Sequence, residues 1–167
     1  MINKLFLGAY IKMITNFEIE DICHKENLPL IGVFSKDELP KDRRVGSYYI
    51  NLQNSDAGCG THWVFCRIFH NATALYFDSF GISLMPQEIA EFLSIFKPAA
   101  TNNRQIQDIH YSELCGRFCI ALDYFLENET RSKNNIDEFK DFLSMWSSTP
   151  VKNDKILCDY LKRNTIQ

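Results

Sequence analysis

The stretch GTHWVFCRIFHNATALYFDSFG, residues 60–81, decides the fold. Over residues 61–69 the side chains alternate. His62, Val64, Cys66 and Ile68 share one face, and Trp63, Phe65, Arg67 and Phe69 share the other. Both faces are mainly apolar, which predicts a strand covered on both sides. Residues 70–73 read as a turn and residues 74–78 as the returning strand, closed by residues 79–81.

Outward from this hairpin, residues 48–52 are β-branched and aromatic and predict another strand, followed by a glycine-containing loop over 53–60. Residues 32–42, GVFSKDELPKD, are rich in turn formers and read as a surface loop. Thr15 or Asn16 is expected to cap a helix running to about Lys25, with Glu18, Glu20 and Asp21 near its positive end. Pro29 then bars continuation. After the hairpin, Pro86 suits a first helical turn, and Ile89, Phe92, Leu93 and Phe96 form an i, i+3, i+4, i+7 stripe. Residues 103–109 are expected to form a short strand. From Cys115 to about Leu126 the chain is apolar nearly all round, which predicts a buried central helix. Asn135 is expected to cap a helix with Ile136, Phe139, Leu143 and Trp146 on one face. A last helix from about Asp154 would bury Ile156, Leu157, Tyr160 and Leu161. The expected fold is α+β: a small, mostly antiparallel central sheet against a buried helix, with flanking helices, in one domain spanning 1–167.

Composition agrees. The chain has 167 residues, 46% hydrophobic and 13% aromatic, too rich in aromatics for a disordered segment. A net charge of −3 excludes a polycation that coats nucleic acid. No uncharged apolar stretch reaches the roughly 18 residues of a membrane span. The apolar run in residues 5–11 is short, Lys12 ends it, and no small-residue cleavage site follows. It reads as a first structural segment, and the protein as one that is not secreted. The six cysteines, Cys23, Cys59, Cys66, Cys115, Cys119 and Cys158, are accordingly expected as reduced thiols, and the sequons at Asn71 and Asn128 as unused.

Cys115 stands in LCGRFC, where an irregular segment meets the buried helix. A helix N-terminus favours the thiolate. Gly116 would let a substrate backbone approach and leave its N–H free for an oxyanion. A cysteine nucleophile needs a base, and the base an orienting partner. His62 opens the first strand of the hairpin and Asp78 closes the second, so the hairpin sets them side by side. Gln107 is a candidate donor to an oxyanion, and Gln105, two residues away, is another; spacing does not separate them. Cys119, one helical turn beyond Cys115, reads as core. Cys59, His62 and Cys66 have zinc-like spacing. However, His62 and Cys66 would lie ~13 Å apart on one extended strand, too far for a single ion.

GTHWV at 60–64, YFDSFG at 76–81 and LCGRFC at 114–119, in this order, resemble the adenovirus-type maturation cysteine proteases, which share a clan with the SUMO and ubiquitin-like-protein proteases. GVFSKDELP at 32–40 with YYINL at 48–52 resembles the versions found in virophages and related large DNA transposons. The resemblance covers about residues 14–126. It implies a thiol endopeptidase with Cys115 as nucleophile, His62 as general base and acid, and Asp78 orienting His62. Gln107 would supply the oxyanion amide, together with the Cys115 N–H. Trp63 would pack beside the site. In the family this glutamine lies closer to the cysteine than Gln107 does to Cys115, and a bulge at His110 and Tyr111 would absorb the difference.

The resemblance further implies viral capsid precursor proteins as substrates, cut at glycine-rich sites during virion maturation. It places the protein in the virion and the host cytoplasm, working as a monomer without a cofactor or metal. The alternative substrate is a ubiquitin- or SUMO-like modifier ending in Gly-Gly, although so short a chain leaves little room for an extensive docking face. A short peptide activator is part of the expectation. A DNA activator is disfavoured by the acidic balance, since the basic residues Lys41, Arg43, Arg44, Arg131, Lys133, Lys162 and Arg163 are scattered.

Overall fold

The computed structural model describes residues 12–58, 60–82, 84–129 and 134–166. The expected first segment over 1–11, Cys59, Arg131 and Lys133 lie outside the described residues.

Helix α1, Asn16–Lys25, begins at Thr15 with a capping box. The Thr15 hydroxyl oxygen accepts the Glu18 N–H at 3.2 Å, and the Glu18 carboxylate accepts the Thr15 N–H at 2.8 Å. Strands β1, Leu30–Ser35, and β2, Gly46–Asn51, follow, then the hairpin strands β3, Trp63–Ile68, and β4, Ala74–Phe77. Helix α2, Gln87–Leu93, leads to the short β5, Ala99–Thr101. The central helix α3, Cys115–Asn128, precedes α4, Asn135–Ser144, and α5, Asn153–Arg163. Asn134 rather than Asn135 caps α4, accepting the N–H groups of Ile136 and Asp137.

The five strands form one sheet in the order β1-β2-β3-β4-β5. The α+β class and the central helix stand as expected. The sheet is antiparallel at its centre, where β2, β3 and β4 pair, and parallel at both edges, β1 with β2 and β4 with β5. Two expectations are corrected. Part of the supposed loop over 32–42 belongs to β1, a half-buried edge strand with a bulge between Leu30 and Gly32. The strand holds only Gly32 and Ser35 of the loop's turn formers, and the rest follow it from Lys36 onward. The supposed strand over 103–109 is irregular. The sheet's last strand comes earlier, at β5, and the later residues turn away to meet Ser79.

The two faces of the hairpin bury separate clusters, as the alternation requires. Val64, Cys66, Ile68, Tyr48, Tyr76, Ile89 and Phe92 pack on one side, and Trp63, Phe65, Leu75, Phe77 and the residues of α3 on the other. Helix α3 is buried nearly all round, but it is not wholly apolar. Asp123 is fully buried, accepting from the Ser47 hydroxyl at 2.6 Å, the Tyr49 hydroxyl at 3.0 Å and Arg67 Nη1 at 2.8 Å. This network ties the helix to β2 and β3 two turns beyond Cys115. Burial pushes the Asp123 carboxyl up, against the pull of Arg67 and the two hydroxyls.

Candidate active site

Strand register sets the site. Phe65 pairs with Phe77 across the hairpin, so counting outward brings His62 opposite Phe80. The two rings stack at 4.0 Å with 4° between their planes. Asp78 lies beside them, just past the end of β4, and its Oδ1 is 2.7 Å from His62 Nε2. The same Oδ1 accepts the Phe80 N–H at 2.9 Å, holding the turn that follows β4. Gly81 closes that turn with φ +66°, packed so tightly on the backbone of Arg104 and Gln105 that a side chain has no room.

An ionised carboxylate only accepts, so Nε2 carries the hydrogen that faces Asp78, and Nδ1 is the nitrogen turned away from it. Nδ1 is buried, and no partner meets it at full hydrogen-bond geometry, although the Cys115 thiol is close enough to act on it. The titratable group facing the ring besides Asp78 is the Cys115 thiol. Burial alone would pull the imidazole pKa down. The hydrogen bond to Asp78, the Cys115 thiol and their charges outweigh it and lift His62 to about 9.

Cys115 is the first residue of α3 and 4% exposed. Its Sγ accepts the Trp63 N–H at 3.4 Å. Trp63 Nε1–H in turn donates to the Ile14 carbonyl at 3.0 Å. Gly116 is required by this packing, whatever its part in substrate approach. A Cβ there would collide with Ile14 Cγ2 and come within 3.0 Å of Trp63 Cδ1. The segment before α1, the start of β3 and the first turn of α3 therefore interlock at Cys115.

The structure separates the two glutamines. Gln105 is exposed, and its amide turns back onto the Gln107 carbonyl at 3.0 Å. Gln107 is fully buried. Its Oε1 accepts the Ser79 hydroxyl at 2.5 Å and its Nε2 donates to the Ser112 carbonyl at 2.9 Å, which fixes the orientation of the amide. An amide nitrogen carries two hydrogens, so one remains after the bond to Ser112. The residues between Gln107 and Cys115 make a turn instead of a bulge in a strand, with Asp108 Oδ1 accepting the N–H groups of His110 and Tyr111.

Sequence reasoning missed Ser79, Asn102, Ile14 and the Trp63 N–H. Ser79 adjoins Asp78 inside YFDSFG and was open to discovery there. Nothing in the pattern around Asn102 marks it. Beside Trp63 opens a cleft of about 540 Å³, bounded by Ile14, Phe34, Asn51, Gly58 and Gly60. Among the described residues no group of three His, Cys, Asp or Glu side chains is placed to hold a metal ion. Cys66 lies in the core cluster on the face of the sheet away from α3.

Among solved structures, the chain is similar to the ASFV pS273R protease, crystallised in selenomethionine form, with a TM-score of 0.53. The chain has the fold of a protease. The match covers 89% of this chain and 67% of that one at 16% identity, so the likeness is one of fold. No family model matches the chain, and no curated protein matches it.

Proposed function

We propose that the protein is a thiol endopeptidase with Cys115 as nucleophile, His62 as base and then acid, Asp78 as the partner of His62, and Gln107 as oxyanion donor. The observation that carries this reading is the buried His62–Asp78 pair, 2.7 Å apart, whose free Nδ1 is left to the thiol of Cys115. The protease fold of the ASFV protein supports it independently of any residue.

The steps follow from these positions. His62 Nδ1 takes the proton from Cys115 Sγ, and the thiolate attacks the peptide carbonyl carbon, forming the C–S bond. The carbonyl oxygen becomes an oxyanion, received by the remaining Gln107 N–H and the N–H of Cys115. That N–H has no intrahelical acceptor because it begins a helix. As the C–N bond breaks, protonated His62 gives its proton to the leaving amine. Water, deprotonated by His62, then releases the acyl group from sulfur.

The substrates of this reading are viral capsid precursor proteins, cut at glycine-rich sites during virion maturation in virion and host cytoplasm. A cleft of about 540 Å³ lined by Trp63, the neighbour of His62, though not by His62 or Cys115 themselves, suits an extended chain of several residues better than a single side chain. The test is incubation of wild-type protein and Cys115→Ala with capsid precursors and, separately, with SUMO and ubiquitin conjugates, reading the new N-termini. Cleavage of the precursors after glycine by wild type alone is expected. Preference for a conjugate would redirect the substrate to ubiquitin-like modifiers, and turnover by Cys115→Ala would remove the nucleophile.

A further inference from the structure

Strand β5 leaves the sheet early. Its parallel ladder pairs Ala74 with Ala99, Leu75 with Ala100 and Tyr76 with Thr101, and goes no further. The chain then departs so that Ile106 and Gln107 can donate their N–H groups to the Ser79 carbonyl at 3.0 and 2.9 Å. Asp78, two residues beyond the last rung, is buried and still needs partners for its main chain.

The side chain of Asn102 provides them. Its Oδ1 accepts the Asp78 N–H at 3.0 Å. Its Nδ2 donates to the Asp78 carbonyl at 2.6 Å and to the Arg104 carbonyl at 3.2 Å. The Asp78 carbonyl also accepts the Gly81 N–H at 2.8 Å, the bond that closes the turn. A main-chain N–H only donates and a carbonyl only accepts, so the direction of the Asn102 amide is forced. Asn102 is 2% exposed and stands in for the peptide group that another rung would have supplied.

We infer that Asn102 is a positioning residue for Asp78. It clamps the Asp78 backbone from the end of β5 so that the carboxylate stays in reach of His62 Nε2. The consequence for turnover rests on the peptidase reading, whereas the consequence for His62 rests on geometry. The titratable groups facing the imidazole are Asp78 from the end of β4 and Cys115 from α3. The ring stacked on it belongs to Phe80, which carries no charge.

The test replaces Asn102 by Ala, and by Ser as a milder change that keeps one polar partner. The readouts are NMR titration of the His62 imidazole and kcat and KM on a peptide substrate. In Asn102→Ala the His62 pKa should fall by about one unit, a tenfold weaker hold on the imidazolium. It should fall less in Asn102→Ser. The kcat should drop roughly tenfold with KM nearly unchanged, because the loss falls on acid–base transfer. Arg104→Ala removes the side-chain hydrogen bonds to the Leu143 and Trp146 carbonyls but keeps the main-chain carbonyl that Asn102 Nδ2 reaches, and serves as a control in which the His62 titration should stay close to that of wild type. A His62 titration unchanged in folded Asn102→Ala overturns the inference, as does an equal shift in Arg104→Ala. If Asn102→Ala does not fold, the Asn102→Ser titration decides. A wild-type protein that cuts no peptide removes the peptidase reading, while the His62 titration still decides the role of Asn102.

Discussion

His62 and Asp78 stand 16 residues apart in the chain, yet Nε2 and Oδ1 meet at 2.7 Å. The hairpin makes this possible because its turn returns β4 beside β3, and both residues lie just outside the paired strands. The β2–β3 ladder reaches the His62 main chain through the Leu52 N–H, which donates to the His62 carbonyl at 2.9 Å, but it does not fix the side chain of either residue. The His62 ring stacks on Phe80, and the Asp78 carboxylate is shared between the His62 ring and the Phe80 N–H. The pair is therefore rigid at a place where a strand end would ordinarily fray.

Asp78→Asn should lower kcat/KM by about 10²-fold, since the side chain keeps its shape but loses the charge that holds His62 protonated. Asp78→Ala should cost more, because the Phe80 N–H loses its acceptor as well. Steady-state kinetics on a peptide substrate checks the order. Equal activity of wild type and Asp78→Asn would mean that the charge plays no part.

The raised His62 pKa makes fold stability depend on pH with a definite sign. The ordinary value is 6.5 and the folded value about 9, so the folded protein binds the proton more tightly. The resulting stabilisation is fully present below about 6.5 and is lost as pH rises through about 9. The Tm difference between wild type and His62→Gln should thus be largest at pH 6 and shrink towards pH 9.5. A difference that grows over that window would indicate a neutral buried histidine.

The hairpin and the meeting of His62 with Asp78 were legible because alternation, a short turn and strand-end polar residues are local signals. The same holds for the α3 start at Cys115 and the Thr15 cap. What escaped was non-local. Residues 30–35 are mostly apolar, with Gly32 and Ser35 as their turn formers, and the parallel partner that makes them a strand, β2, lies outside any local pattern. Asn102 and Ser79 look like ordinary loop residues until the departure of the chain from β5 gives them backbone and amide partners. Gly116 was legible as a glycine next to Cys115, but its packing against Ile14 and Trp63, which lie far from it in sequence, was not.

Thiol chemistry should single out Cys115. Burial pushes Cys23 up to about 12 and drives Cys66, Cys119 and Cys158 upward as well. Each is then almost wholly protonated at neutral pH, and the thiolate is the nucleophile. Cys119 is further engaged with the Trp63 carbonyl at 3.7 Å. In a Cys59→Ser background, iodoacetamide at pH 7 should alkylate Cys115 at least about tenfold faster than these four. Peptide mapping by mass spectrometry gives the order, and faster labelling of Cys119 or Cys158 would contradict the assignment.

The far anchor of α3 should matter as much to stability as the near one does to chemistry. Asp123 is fully buried and accepts from Ser47, Tyr49 and Arg67, and Arg67 also reaches Glu127 at 2.8 Å. Asp123→Ala leaves two hydroxyls without their acceptor and Arg67 short of its buried partner, so a loss of about 3–5 kcal/mol is expected. Asp123→Asn keeps the shape and an acceptor oxygen and should lose less. Because α3 presents Cys115 at its first residue, any Asp123→Ala protein that remains folded should also lose turnover through a loosened helix. Urea denaturation measures the first effect and peptide hydrolysis the second. A stability loss below about 1 kcal/mol would place the network among those whose desolvation cost cancels their attraction.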